Sequence, residues 1–93
     1  MKTSFIYILS NSYRTTFYIG VTNDLKKRII QHKTKEGSKF TARYNIADLI
    51  YFEEFTDVQQ AIAREKQLKN WKKEWKLNLI KGLNPKLETL NLH

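Results

Sequence analysis

Phe5-Ile6-Tyr7-Ile8-Leu9 and Phe17-Tyr18-Ile19-Gly20-Val21 decide how this chain folds. The first run is apolar or aromatic at every position, which suits a central strand buried on both faces. The second is its natural hairpin partner, with the polar stretch Ser10 to Thr16 as the connecting loop. Downstream, Leu25, Ile29 and His32 recur at helical spacing, and Thr22, Asn23 or Asp24 can cap the helix they predict over Asp24 to Lys33. His32 therefore falls on the apolar stripe.

Working outward, Lys33 to Asn45 is polar and basic, contains Gly37, Phe40 and Tyr44, and reads as a long loop of the kind that usually carries function. Asp48 to Phe55 reads as a third strand. Thr56 and Gln59 stand at the spacing of a capping box and open a second helix. Its predicted inward face runs through Val58, Ala61, Ile62, Glu65 and Leu68, which places a carboxylate on an apolar stripe. The pattern breaks near Asn70 and resumes as a third helix with Trp71, Trp75 and Leu79 inward, ending at Gly82 ahead of Asn84-Pro85.

A chain of 93 residues with 41% hydrophobic residues fits one compact domain, 1–93, with a modest core and a thin stability margin. No repeat, low-complexity tract or linker interrupts it, and Pro85 is the one proline. The absence of cysteine excludes disulfides, thiolate metal sites and cysteine nucleophiles, so a metal must sit on oxygen or histidine. The N-terminus has too short an apolar run for a secretory signal or a membrane span, and a cytoplasmic location without membrane contact is expected. A net charge of +8 favours polyanionic partners. Of the 17 Lys and Arg residues, 13 lie in Lys26 to Arg43 or in Arg64 to Lys76, two segments able to frame one groove.

Tyr7, Tyr18, Arg28, His32 and Glu65 are polar side chains where apolar ones would be less costly. Arg28 and His32 stand at i and i+4 and project from the same helix face. If that helix packs on the hairpin, they converge with the tyrosines. Phosphodiester hydrolysis needs such a set: a base for water, positive charge for the phosphate oxygens, and a carboxylate able to hold a divalent metal. Glu65 is the best metal ligand, since magnesium accepts one protein carboxylate and keeps several waters. Structural readings stand beside these. Tyrosines suit half-buried strands, a lone histidine on an apolar stripe is often structural, and Glu65 can pair with Lys69 or Arg28.

Taken in order, the two strand motifs, Thr22-Asn23-Asp24-Leu25-Lys26-Lys27-Arg28 with His32, Lys39-Phe40-Thr41-Ala42-Arg43, Ala63-Arg64-Glu65-Lys66-Gln67-Leu68-Lys69 and Asn84-Pro85 resemble the GIY-YIG nuclease superfamily, in particular its small stand-alone UPF0213 branch. The likeness covers nearly the whole chain. It implies an α+β fold, a small three-stranded antiparallel sheet flanked by about three helices, and metal-dependent cleavage of a nucleic-acid phosphodiester. By motif position, Tyr7 would be the water-activating base and Tyr18 its partner in the second half-motif. Arg28 would stabilise the scissile phosphate, His32 would assist by hydrogen bonding or proton relay, and Glu65 would hold one Mg²⁺ or Mn²⁺ ion. Gly20, Lys39, Arg43 and Asn84 are carried over as substrate-binding positions. One departure is Phe5, which stands where the first half-motif has glycine.

The expected function is a structure-selective or weakly specific endonuclease on nucleic acid, DNA favoured over RNA, with a protein partner able to supply specificity. A non-catalytic nucleic-acid-binding module on the same basic surface is the main alternative. An adaptor that docks protein through Tyr13, Phe40 and Tyr44 is a third.

Overall fold

The computed structural model describes residues 3–92. Strand β1 (Ser4–Ser10) lies at the centre of the sheet, between β2 (Phe17–Thr22) and β3 (Asp48–Phe55), and both pairings are antiparallel. Because β1 is apolar on both faces, it forms part of two cores. Ile6 and Ile8 point to one side, where they meet Ala61 and Leu68 of helix α3 (Val58–Lys69) and Ile80 of α4 (Lys73–Leu83). Tyr7 and Leu9 point to the other, where they meet Leu25 and Ile29 of α1 (Leu25–Lys33) together with Ile46 and Leu49. The alternation of a strand thus assigns Tyr7 to the α1 side of the sheet.

Opposite Ile8 and Leu9, β3 carries one extra residue, for Ile8 pairs with Tyr51 and Leu9 with Leu49. This bulge lets the consecutive residues Ile50 and Tyr51 both join the α3 and α4 core, which strict alternation would forbid. The α1 side is closed by the C-terminal segment. Leu90 donates its backbone N–H to the Leu49 carbonyl at 2.7 Å, and Leu90 and Leu92 pack on the Tyr7 and Leu9 core. Arg14 fastens the same segment: its guanidinium reaches the Leu87 carbonyl, Thr89 Oγ1 and Asp48 Oδ2 at 2.7–2.8 Å.

Four local expectations are corrected. Lys33 to Asn45 is not loop throughout, because Lys39–Arg43 forms a short helix, α2, and the described residues contain four helices. Ser38 caps it by accepting from the Thr41 N–H. The second predicted helix is capped by Asp57, which accepts from Gln59 N–H at 2.9 Å, in place of the Thr56 and Gln59 box. Trp75 is 49% exposed, and α4 is anchored by the fully buried Ile80 instead. Val58, placed on the inward stripe of α3, is likewise half exposed, so that stripe is narrowed to Ala61, Ile62, Glu65 and Leu68. Both long helices cover only part of a three-stranded sheet, which leaves room for a narrow apolar face.

Phe5 packs at the edge of the core that holds Tyr7. Its ring meets Phe52 edge-on at 6.3 Å, on the flank of the sheet near the start of α1.

Candidate active site

Tyr7 lies almost fully buried, 2% exposed, and its ring crosses the neighbouring strand over Gly20, its partner in register. A β-carbon added at Gly20 would stand 2.5 Å from Tyr7 Cζ. Gly20 has no positive φ to explain it. It is glycine for space, and the position assigned from the motif to substrate is occupied by the tyrosine ring.

Beyond Gly20 the Tyr7 hydroxyl meets His32 Nε2 at 3.1 Å. His32 Nδ1 faces Thr41 Oγ1 at 2.9 Å, and Thr41 Oγ1 donates to the Ser38 carbonyl at 3.2 Å. Thr41 Oγ1 also stands 2.9 Å from Ser38 Oγ, so its one hydroxyl proton has acceptors other than His32. With that proton directed to Ser38, Nδ1 carries the imidazole proton and the Nε2 lone pair accepts from Tyr7. Gly37 closes the other side of the imidazole, where an added β-carbon would come within 2.5 Å of Cε1.

The remaining residues gather around this pair. Tyr18 has its ring 6.3 Å from Tyr7 and 5.5 Å from His32. Burial raises the Tyr7 phenol above its ordinary pKa, and the neighbouring Tyr18 adds to the rise; Arg28 opposes it, and Glu65 raises it further. Burial, then the Arg28 charge, lowers His32 from its ordinary 6.5, so the imidazole is held neutral. Arg28 and Glu65 thus act on one buried tyrosine from α1 and α3. Among the described residues the Arg28 guanidinium forms no hydrogen bond or ion pair, and it stands at a polar recess lined by Thr22, Asp24 and Gln31. A partly exposed guanidinium with its five donors unused suits an oxyanion or phosphate.

Glu65 pairs with Lys69 at 3.4 Å through Oε2, and its side chain is 20% exposed. Of the two partners foreseen for it, the structure selects Lys69. Oε1 has no hydrogen-bonding partner among the described residues. Those residues contain no group of three or more His, Cys, Asp or Glu side chains able to enclose a cation. A resident metal would therefore rest on a single carboxylate and complete its shell with water, an arrangement that fits a divalent cation preferring oxygen.

Asn84 has a different role from the one its motif position suggested. It is 6% exposed at the end of α4, its amide donates to the Ile50 and Glu88 carbonyls, and its oxygen accepts from Glu88 N–H. Both of its amide protons and one oxygen lone pair go into joining α4 to β3 and the C-terminal segment. Lys39 and Arg43 are exposed on α2, with the Arg43 guanidinium 5.5 Å above the Tyr44 ring.

Thr41, Ser38 and Gly37 went unassigned in the sequence, although all three shape the surroundings of His32. The one signal for them was the Ser38 to Thr41 spacing of a helix cap inside a basic stretch, too common a pattern to single out.

A second, partly buried network, on the far face, ties Glu53 to Arg64 by paired bonds of 2.9 Å and to Tyr51. Burial alone would raise Glu53, but hydrogen bonds from Arg64 and Tyr51 and the Arg64 charge hold it below its ordinary 4.5. Both His32 and Glu53 have folded-state values below their unfolded ones, so the unfolded chain binds more protons and acid favours it. Their stabilisation is present above the unfolded values and lost as pH falls through the folded ones. The thermal midpoint is expected to drop below about pH 6.5 through His32 and again below about pH 4.5 through Glu53. Midpoints measured by circular dichroism from pH 8 to 3 test this, and a His32→Gln variant should lack the first step.

Comparison with known proteins follows the same lines. Residues 3–78 match the family model described as the GIY-YIG catalytic domain. The chain belongs to the GIY-YIG family, a family of nucleases. Its similarity extends along nearly its whole length to UPF0213 proteins of that family. One from Staphylococcus saprophyticus is 34% identical over 80 residues, 86% of this chain and 96% of that protein. One from Clostridium perfringens is 35% identical over 85 residues, 91% of this chain and 90% of that protein. The solution structure of a UPF0213 protein from Bacillus halodurans has the same fold, with a TM-score of 0.59 at 25% identity, covering 94% of this chain and 92% of the other.

Proposed function

We propose that this protein is a divalent-metal-dependent endonuclease that hydrolyses phosphodiester bonds of DNA. The observation that carries this reading is the Tyr7 hydroxyl on the Nε2 of a histidine held neutral, at 3.1 Å, beside an arginine with no partner among the described residues. A tyrosine whose pKa is raised is a poor base alone. Coupled to an acceptor it becomes a relay: Tyr7 takes a proton from the attacking water as its own proton passes to His32 Nε2. The water oxygen then bonds to phosphorus, the bond to the leaving sugar oxygen breaks, and solvent supplies the proton that makes it a hydroxyl. Thr41 accepts from Nδ1–H throughout and keeps the imidazole in the orientation the transfer requires. Arg28 stabilises charge on the phosphate oxygens. Tyr18 packs beside the relay and limits water around it.

A divalent ion held by Glu65 would supply further charge stabilisation and assist departure of the leaving oxygen. Lys69, 52% exposed and one helical turn away, can swing aside to make room.

The test is scission of supercoiled plasmid and branched DNA at low salt, in Mg²⁺ or Mn²⁺ against EDTA, for wild type and Glu65→Gln. Metal-dependent nicking is expected, with the variant folded, bound to DNA and needing more metal. An unchanged metal requirement would remove Glu65 as ligand. Binding without scission in every metal would replace the endonuclease with the non-catalytic module.

A further inference from the structure

Helix α2 faces two ways. Inward, Thr41 is 1% exposed and bonded to His32. Outward, Phe40 and Tyr44, one turn apart, are 46% and 47% exposed, with ring centroids 5.0 Å from each other. Phe40 also lies 6.3 Å from Tyr18 at an interplanar angle of 30°, and Tyr18 in turn lies 5.5 Å from His32. An unbroken row of rings thus leads from the relay to the surface. Because Thr41 and Phe40 are adjacent on one helix, the outer rings are fixed in position relative to the inner hydrogen bonds.

Two half-exposed aromatics at one turn's spacing leave apolar area in water, and the surroundings indicate what covers it. Lys33, Lys35, Lys39 and Arg43 flank the rings in sequence, against a single acidic residue, Glu36. That charge selects a polyanion over an ordinary protein surface. Within duplex DNA the base faces are stacked on one another and unavailable, whereas an unpaired base presents a π-face that stacks on any aromatic side chain.

We propose that Phe40 and Tyr44 form a stacking platform for one or two unpaired bases, and that the preferred substrate is single-stranded or locally melted DNA. Lys39 and Arg43 hold the adjoining phosphates. The placement of these bases beside the cut rests on the endonuclease reading above; the platform itself does not, and it can be tested without cleavage.

The experiment uses oligonucleotides carrying 2-aminopurine, whose fluorescence is quenched by stacking, as single strands and as fully paired duplexes. Titrations are made in EDTA with wild type, Phe40→Ala/Tyr44→Ala and Phe40→Leu/Tyr44→Leu, with folding checked by circular dichroism. Wild type is expected to quench the single strand. Both double variants should lose that quenching and weaken single-strand binding by roughly 5- to 150-fold per lost stack, with duplex binding unchanged. The leucine pair keeps apolar packing against Tyr18 and removes only the π-faces, so it remains informative if the alanine pair unfolds. Equal weakening of both DNA forms, or no change in either, would overturn the platform and leave the rings to protein docking. Repeating the titration in metal separates the two proposals. Quenching without scission keeps the platform and removes the endonuclease; scission with the preference for unpaired DNA unaffected in both variants does the reverse.

Discussion

Replacing Tyr7 with phenylalanine is expected to slow strand scission by about 10²- to 10⁴-fold while the protein stays folded. The substitution removes one oxygen from a ring that is otherwise packed between β1, Gly20 and α1, so the apolar contacts survive. That oxygen does two things in the proposed relay. It accepts from water and donates to His32 Nε2, and no other hydroxyl among the described residues meets that nitrogen. The buried Nε2 lone pair would be left without a partner, at a cost of about 1–3 kcal/mol. Single-turnover cleavage, DNA affinity and urea unfolding measured on the same preparation separate the effects. A rate near that of wild type would remove Tyr7 from the chemistry, and a loss explained by unfolding would leave its role structural.

The second large effect comes from a residue with no side chain. Gly20→Ala is expected to destabilise the fold by about 1–3 kcal/mol, the range for forcing extra volume into a well-packed site. It should also lower the cleavage rate by about 100-fold in the molecules that remain folded, as expected for misplacing a reacting group by about 1 Å. The added carbon would stand 2.5 Å from Tyr7 Cζ and 2.9 Å from Cε1. A buried ring held between the sheet and α1 has nowhere to retreat without drawing its hydroxyl away from His32. Gly37→Ala presses on His32 in a comparable way, but Gly37 lies in a connecting segment that can yield, and a smaller loss is expected. Equal stability and rate for Gly20→Ala and wild type would show that the Tyr7 ring is free to move.

These two residues also show what was legible in the sequence. The strands were, because five apolar residues at Phe5 to Leu9 and five more at Phe17 to Val21 are short enough to exclude helices. The helix carrying Arg28 and His32 was legible from its stripe and cap, and Asp24 does cap it. Helix α2 was not. Five residues give too little periodicity to register, and its folding depends on Ser38 as cap and on Thr41 reaching His32. Trp75 was misplaced because helical spacing reports which residues share a face and says nothing about how wide a face the sheet can cover. The same limit applies to Asn84, whose amide donates both to nearby Glu88 and to the carbonyl of Ile50, a partner distant in sequence that no local pattern names.

By itself the sequence determined the order of the elements other than α2, the net positive charge and the residue types available for chemistry, since strand alternation, helical spacing and composition are local properties. Only the tertiary structure decided what those residues do together. Tyr7, His32 and Thr41 are separated by 25 and 9 residues along the chain, and a hydrogen-bonded row forms only when α1 packs on the sheet and α2 folds back over α1. Gly20 illustrates the difference most directly. The sequence shows a glycine, and the structure shows that its missing side chain is the space the Tyr7 ring occupies.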